Sequence, residues 1–291
     1  ERPGALQVLR LQHDGTAAQL GQRGGVRDGC ALHHAEAGFT RRTHRFVRNR
    51  VTGSVRWTHE PPTVVVVRAA LIGNRDDTDP GLVGHALRRR GYSFVELARE
   101  NAPEWDLRPG EVDLVVSLGS SWSTYWPEFE RETSVERDFL AAAHGSGVPV
   151  LGVCFGAQQL ATALGGSVSR LHKPEIGWHT VVPGAEVGAR DGAEVLAGHW
   201  FQWHYDGFEV PSGATTLAHS PVSAQAFRTG RTLAVQFHPE VTDSIVRHWS
   251  SGDGARELVE VGIDRDELLT RTSGMVDEMR GRTDSLVGWF L

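Results

Sequence analysis

The sequence predicts an α/β protein: an open, mostly parallel sheet with helices on both faces, plus a small antiparallel β portion. Three observations lead there. From residue 63 onward, short apolar, β-branched runs alternate with segments of helical spacing. The runs are apolar throughout, as in strands buried on both faces. From residue 168 to 237 the alternation gives way to short strands and turns without a helical pattern.

The elements read in order. Residues 63–72 form a buried strand closed by Gly73-Asn74. Residues 80–90 place Leu82, Val83, Ala86 and Leu87 on one helical face, ended by Gly91. Strands follow at 92–97 and 112–118, the latter bounded by Gly119. A helix at 135–144 stops at Gly145 and Gly147. The strand 148–153 runs straight into Cys154, and a helix over 155–164 ends at Gly165-Gly166. The antiparallel portion is expected from strands at 176–182, 215–219, 224–228 and 232–237. Helices return at 243–249, 255–261 and 264–280, and no internal repeat is present.

Composition narrows the function. The 291 residues are 40% hydrophobic and 23% charged, an ordinary soluble chain of one large domain or a domain with an appendage. Residues 1–62 stand apart, with ten arginines against five acidic residues. They read as a basic Gly/Arg-rich extension, poorly ordered or peripheral, bounded by Pro61-Pro62. A domain over 63–250 and a C-terminal helical segment over 251–291 follow. The remainder carries a net charge of −11 out of an overall −6, which argues against nucleic-acid binding. The apolar run Val64 to Val67 is too short for a membrane span, and no secretory h-region opens the chain. Two cysteines, Cys30 and Cys154, make no disulfide scaffold and suit a cytoplasmic setting. The fourteen histidines are scattered without HExxH spacing, so neither a metal nor a cofactor is expected.

The segment Gly152-Val-Cys154-Phe-Gly156 carries the chemistry. A strand ends, a residue sits on a sharp turn, and a helix begins: the nucleophile-elbow layout, with sulfur in place of a serine oxygen. Glycines two residues either side relieve the crowding of that turn. The helix N-terminus beside the sulfur favours its thiolate and offers N–H groups, Phe155 first, to an oxyanion. A lone cysteine at a strand end is ordinarily packing; the flanking glycines argue for more. Far downstream, Gln236-Phe-His238-Pro-Glu240 supplies a base at another strand end, with Glu240 placed to orient the imidazole. His204 is a weaker rival, since no carboxylate follows it in the same way.

These two motifs, in this order, resemble the class I, triad-type glutamine amidotransferases, nearest the stand-alone members that resemble the glutaminase domain of GMP synthase. The resemblance runs from about residue 64 to about residue 250. It implies a flavodoxin-like sheet and attack of Cys154 on the side-chain amide of glutamine. A γ-glutamyl thioester forms, ammonia leaves, and water releases glutamate. It implies His238 as acid/base, Glu240 as orienting group, and Gln158, Trp203, Tyr205 and Asp206 as glutamine-binding residues. One departure stands out. Where relatives place two glycines after the third strand, this chain has Gly119-Ser120. Ser120 keeps its N–H, but its Cβ makes positive φ costly. Either the loop takes another shape, or Gly119 donates in its place, or Ser120 tolerates the same backbone.

No phosphate-binding GxxxxGKS loop is present, so activation of an ammonia acceptor is expected in a partner synthetase or ligase. The stripe Leu268, Leu269, Thr272, Met275, Val276 and Met279 is a candidate docking face for it, or packs on its own domain. Two alternatives stay open: a stand-alone γ-glutamyl hydrolase of a small metabolite, and a non-catalytic regulatory module with the same fold.

Overall fold

The computed structural model describes residues 66–184 and 192–291. The extension 1–62, Cys30 and the start of the strand expected at 63–72 lie outside the described residues.

The described chain runs β1 (Val67–Gly73), α1 (Gly81–Arg89), β2 (Tyr92–Ala98), β3 (Leu114–Ser117), α2 (Glu130–Gly145), β4 (Val150–Val153) and α3 (Phe155–Ala163). Then come β5 (Ser167–Pro183), β6 (Gly198–Glu209), β7 (Thr215–His219), β8 (Ala224–Thr229) and β9 (Thr232–Val235), followed by α4 (Asp243–Trp249), α5 (Asp253–Val261) and α6 (Arg265–Phe290). The strands form one sheet in the order β2-β1-β3-β4-β9-β8-β7-β5-β6. The first five are mutually parallel. From β9 onward every neighbour is antiparallel.

The apolar runs become central strands because successive side chains feed two cores. Ala69 and Leu71 of β1, Leu114 and Val116 of β3, and Leu151 and Val153 of β4 face one core with α1, α4 and α6. Ala70, Ile72, Val115 and Val150 face the other, with Phe139 and Leu140 of α2 and Leu160 of α3. Each Val, Leu, Ile or Phe among them contributes about 1.5–3 kcal/mol relative to exposure.

Several elements outrun the sequence expectation. Helix α2 begins at Glu130 instead of 135, because two of its buried positions are Thr133 and Glu136, which carry no apolar signal. Strand β5 begins at Ser167 because its exposed first half pairs with Arg170↔Asp206 and neighbouring positions of β6. β6 was not anticipated as a strand; buried residues on both faces erase its alternation. α6 continues past 280 because Met279, Thr283, Leu286, Val287 and Phe290 extend its buried stripe. That stripe is covered by its own chain: Leu268, Leu269, Met279 and Leu286 belong to the core shared with α1 and α4. Among the described residues no helix is long and apolar enough to cross a membrane.

Candidate active site

Three adjacent strand ends, of β3, β4 and β9, build the site. Cys154 follows β4 directly and adopts φ 51°, ψ −106°, the one non-glycine residue with positive φ among the described residues. Holding an L-residue there costs on the order of 1–3 kcal/mol. Its N–H donates to the Val235 carbonyl of β9 at 2.8 Å, and its carbonyl accepts the first helical bond of α3, from Gln158 N at 3.0 Å. The flanking glycines are enforced by contact. A Cβ at Gly156 would lie 2.2 Å from the Ser117 carbonyl oxygen, and one at Gly152 would lie 2.5 Å from Leu160 Cδ1. Cys154 is buried at 4% exposure, beside first-turn N–H groups of α3 that have no helical acceptor.

His238 arrives just beyond β9. Its N–H donates to Phe201 O at 2.8 Å, and Nδ1 lies 2.7 Å from Glu240 Oε1. Both side chains are buried, and His238 Nε2 and Glu240 Oε2 make no hydrogen bond. The His-Pro-Glu turn is fixed from two sides. Leu82 N donates to Glu240 O at 2.8 Å, and Thr283 Oγ1 of α6 donates to Pro239 O at 2.7 Å. Gly81 has to be glycine here: its φ is +43°, and a Cβ would lie 1.9 Å from Glu240 O. Burial works against a charged ring at His238. The carboxylate of Glu240, then the Cys154 sulfur, outweigh it and hold His238 well above 6.5. Trp249 packs edge-on against the His238 ring at 4.7 Å and donates to Asp77 Oδ2 at 2.9 Å. Burial raises the Asp77 carboxyl above 3.8; the Trp249 bond opposes this and the charge of Glu240 adds to it.

The residues singled out from sequence come together unevenly. Cys154, His238 and Glu240 converge; Gly119 abuts the first two, its Cβ direction leading to His238 Cε1 at 3.1 Å and Cys154 Cβ at 3.7 Å. Gln158 Nε2 donates to Asp206 O at 3.1 Å and to Gln236 Oε1 at 3.3 Å, while Gln236 Nε2 points at the sulfur at 3.6 Å. The Trp203 carbonyl faces the sulfur at 3.9 Å, but its indole turns away to Glu257. Tyr205 lies under the Arg170 guanidinium at 4.7 Å. The Asp206 carboxylate is already taken by Ser123 Oγ at 2.5 Å and Tyr125 OH at 2.9 Å, so this side chain latches the loop after β3 to β6. Neither Gly119 nor Ser120 has positive φ, and Ser120 Oγ accepts from Trp122 N at 3.1 Å. The loop therefore takes a shape a serine adopts without strain.

Sequence reasoning missed Gln236, Asp77, Trp249, Arg99, Glu136 and the partner of His204. That partner is Glu175, directly opposite on β5, with Oε2 3.4 Å from His204 Nε2. Only Gln236, inside a quoted motif, carried a local signal. Among the described residues no group of three or more His, Cys, Asp or Glu side chains could hold a metal ion.

Comparison with known proteins agrees with this geometry. Residues 127–248 match the family model described as glutamine amidotransferase class-I. A glutamine-hydrolysing GMP synthase from Vibrio vulnificus is 30% identical over 210 residues, which take in 71% of this chain and 38% of the relative. The chain thus spans 38% of that relative's length. The crystal structure of a glutamine amidotransferase from Thermotoga maritima matches with a TM-score of 0.70 at 28% identity, over 77% of this chain and 98% of that one. A glutamine amido transferase structure from Methylobacillus flagellatus shares the fold, with a TM-score of 0.63 at 23% identity, over 77% and 93% of the two chains. The chain carries a class I glutamine amidotransferase domain with its α/β fold.

Proposed function

We propose that this class I amidotransferase hydrolyses the side-chain amide of glutamine through Cys154 and releases ammonia to a partner synthetase or ligase that activates the acceptor. The observation that carries the reading is the state of the imidazole: Nδ1 is held by Glu240 at 2.7 Å, and Nε2 is buried without a partner. A ring held on one side and open on the other is what proton transfer at sulfur requires.

In this mechanism His238 takes the Cys154 proton as the C–S bond forms at the amide carbon. The carbonyl electrons move to oxygen, where N–H groups of Phe155, Gly119 and Ser120 receive the charge. His238 then protonates the departing nitrogen, the C–N bond breaks, and ammonia leaves. Water, deprotonated by His238, cleaves the thioester and restores the thiol as glutamate departs. Glu240 keeps the ring oriented throughout. Gln158, the backbone at Trp203 and the ring of Tyr205 hold the glutamine. Asp206 acts through its loop latch. The likeness to a glutamine-hydrolysing GMP synthase supports a synthetase as the destination of the nitrogen.

A diazo- or chloroketone glutamine analogue tests this. It is expected to label Cys154 and not Cys30, and Cys154→Ala is expected to abolish glutamine hydrolysis. A folded protein that neither labels nor turns over glutamine would sink the reading. Faster cleavage of γ-glutamyl amines than of glutamine would replace the amidotransferase with a stand-alone hydrolase.

A further inference from the structure

Arg99 is completely buried, and all five of its guanidinium N–H groups are used. Nε donates to Glu136 Oε2 at 2.6 Å, and Nη2 donates to Glu136 Oε1 at 3.2 Å and to the Leu118 carbonyl at 3.1 Å. Nη1 donates to Asn74 Oδ1 at 2.6 Å and to the Gly119 carbonyl at 3.2 Å. Glu136 is fully buried on α2 and also accepts from Ser117 Oγ at 2.6 Å. The guanidinium lies over the Phe155 ring at 4.7 Å.

Two features set this apart from an ion pair that only ties α2 to the sheet. The two carbonyls it holds are consecutive, and they belong to the loop that abuts Cys154 and His238. A trans peptide is planar, with C=O and N–H pointing opposite ways. Fixing Leu118 O and Gly119 O on the guanidinium therefore turns the N–H groups of Gly119 and Ser120 away from it. The same side chain also rests on Phe155, whose N–H opens α3. Arg99 touches both walls of the place where an amide oxygen would gain charge.

We propose that Arg99, fixed by Glu136, is the positioning residue of the oxyanion site: it presets the Gly119 and Ser120 N–H groups toward the substrate oxygen. This gives the Gly119-Ser120 loop, without left-handed backbone, the orientation a second glycine would otherwise provide. The inference rests on the amide-hydrolysis reading above. Arg99 touches no reacting atom; it acts through the loop.

The test uses the full chain with Arg99→Lys, which keeps the charge but offers three donors and no planar fork. Losing oxyanion alignment is expected to lower kcat for glutamine about 10- to 100-fold, with KM nearly unchanged. Affinity for glutamate γ-semialdehyde, which Cys154 converts to a tetrahedral adduct with a charged oxygen, is expected to fall in parallel. Alkylation of Cys154 by iodoacetamide, a displacement that develops no such oxygen, is expected to keep its wild-type rate. Asn74→Ala removes one acceptor from a half-buried site and is expected to show the same pattern more mildly; it decides the matter if Arg99→Lys does not fold. The proposal is overturned if kcat and aldehyde affinity stay at wild-type level, or if alkylation falls by the same factor as kcat. Absent turnover in the wild type would sink the amidotransferase reading instead; turnover that the variants retain sinks this inference alone.

Discussion

His238 and His204 each sit buried beside a glutamate, and each is close to Cys154 in the fold: His204 directly follows Trp203, whose carbonyl faces the sulfur. Their hydrogen bonding separates them. His238 has Glu240 on Nδ1, and its Nε2 makes no hydrogen bond, which leaves that side of the ring to the Cys154 sulfur. His204 has the Asp206 carbonyl on Nδ1 at 2.9 Å, and Gln202 Oε1 at 3.1 Å with Glu175 Oε2 at 3.4 Å on Nε2. The orientation of those amides is forced. Gln225 presents Nε2 to the Glu175 carboxylate at 2.8 Å, so its oxygen accepts from Gln202 Nε2 at 2.7 Å, which leaves the Gln202 oxygen facing His204. Both His204 nitrogens therefore meet oxygens, and neither is left facing the sulfur. A histidine beside a carboxylate near a thiol is not yet a base; a spare nitrogen makes it one.

This contrast is open to a direct attack. His238→Ala is expected to lower kcat by about 10⁴-fold or more, which is about 5 kcal/mol of barrier, since the acid/base of such a triad acts as one unit with its nucleophile. His204→Ala is expected to fail differently. It leaves the buried Glu175 carboxylate with Gln225 and Ser220 as its remaining donors, and losing one partner of a buried polar group costs about 1–3 kcal/mol of stability. Urea unfolding measures that loss, and the fraction that remains folded is expected to keep alkylating at Cys154. If His204→Ala were as inactive per folded molecule as His238→Ala at unchanged stability, the distinction between the two pairs would be lost. Glu175 adds a check at low pH. Burial alone would raise it, but hydrogen bonding and charge from His204, with Ser220, hold its carboxyl below 4.5. Stability from it is present above that ordinary value and lost as pH falls through the depressed one.

Glu240→Gln sharpens the comparison on the His238 side. The His238 ring is raised although burial opposes it, and Glu240 is the largest of the causes that raise it. A raised imidazole contributes stability that is full below 6.5 and is lost as pH climbs through the folded value. Without the carboxylate, that loss is expected to begin at lower pH, and the ring is expected to titrate at lower pH by NMR. Turnover is expected to drop about 10²-fold, less than with His238→Ala, because the ring remains but is no longer oriented. Identical titration of His238 in both proteins would refute the assigned cause.

The two pairs also explain what the sequence made legible. The strand–Cys154–helix junction and the His238-Pro-Glu240 turn are local: each compresses a strand end, a turn and a reactive group into a few residues, so spacing alone reveals them. The parallel strands were legible for the same reason, since double burial leaves continuous apolar runs. Glu175 and His204 meet only through the β5–β6 register, and Arg99 reaches Glu136 and the loop after β3 across three elements. A polar residue buried by tertiary contact looks on paper like any exposed one. That also hid the first turn of α2, where Glu136 occupies a core position. The latch that Asp206 forms with Ser123 and Tyr125 was hidden similarly, because those partners lie 83 and 81 residues away.

The last and smallest effect concerns where strain is kept. The open nitrogen of His238, the unpaired Glu240 oxygen and the positive φ of Cys154 all fall on the same side of the comparison. Cys154→Ala and Cys154→Gly both remove the sulfur, so activity does not separate them, but their backbones differ. Alanine keeps the Cβ that makes φ 51°, ψ −106° unfavourable, at a cost on the order of 1–3 kcal/mol. Glycine escapes it but gives up about 0.5–1 kcal/mol of chain entropy. The glycine variant is therefore expected to be more stable than the alanine variant by about 1 kcal/mol in urea unfolding, the reverse of their order at an ordinary helical position. Equal stabilities, or alanine the more stable, would mean that the turn is not strained. The elbow would then owe its shape to the Gly152 and Gly156 contacts alone, with no cost for presenting the sulfur.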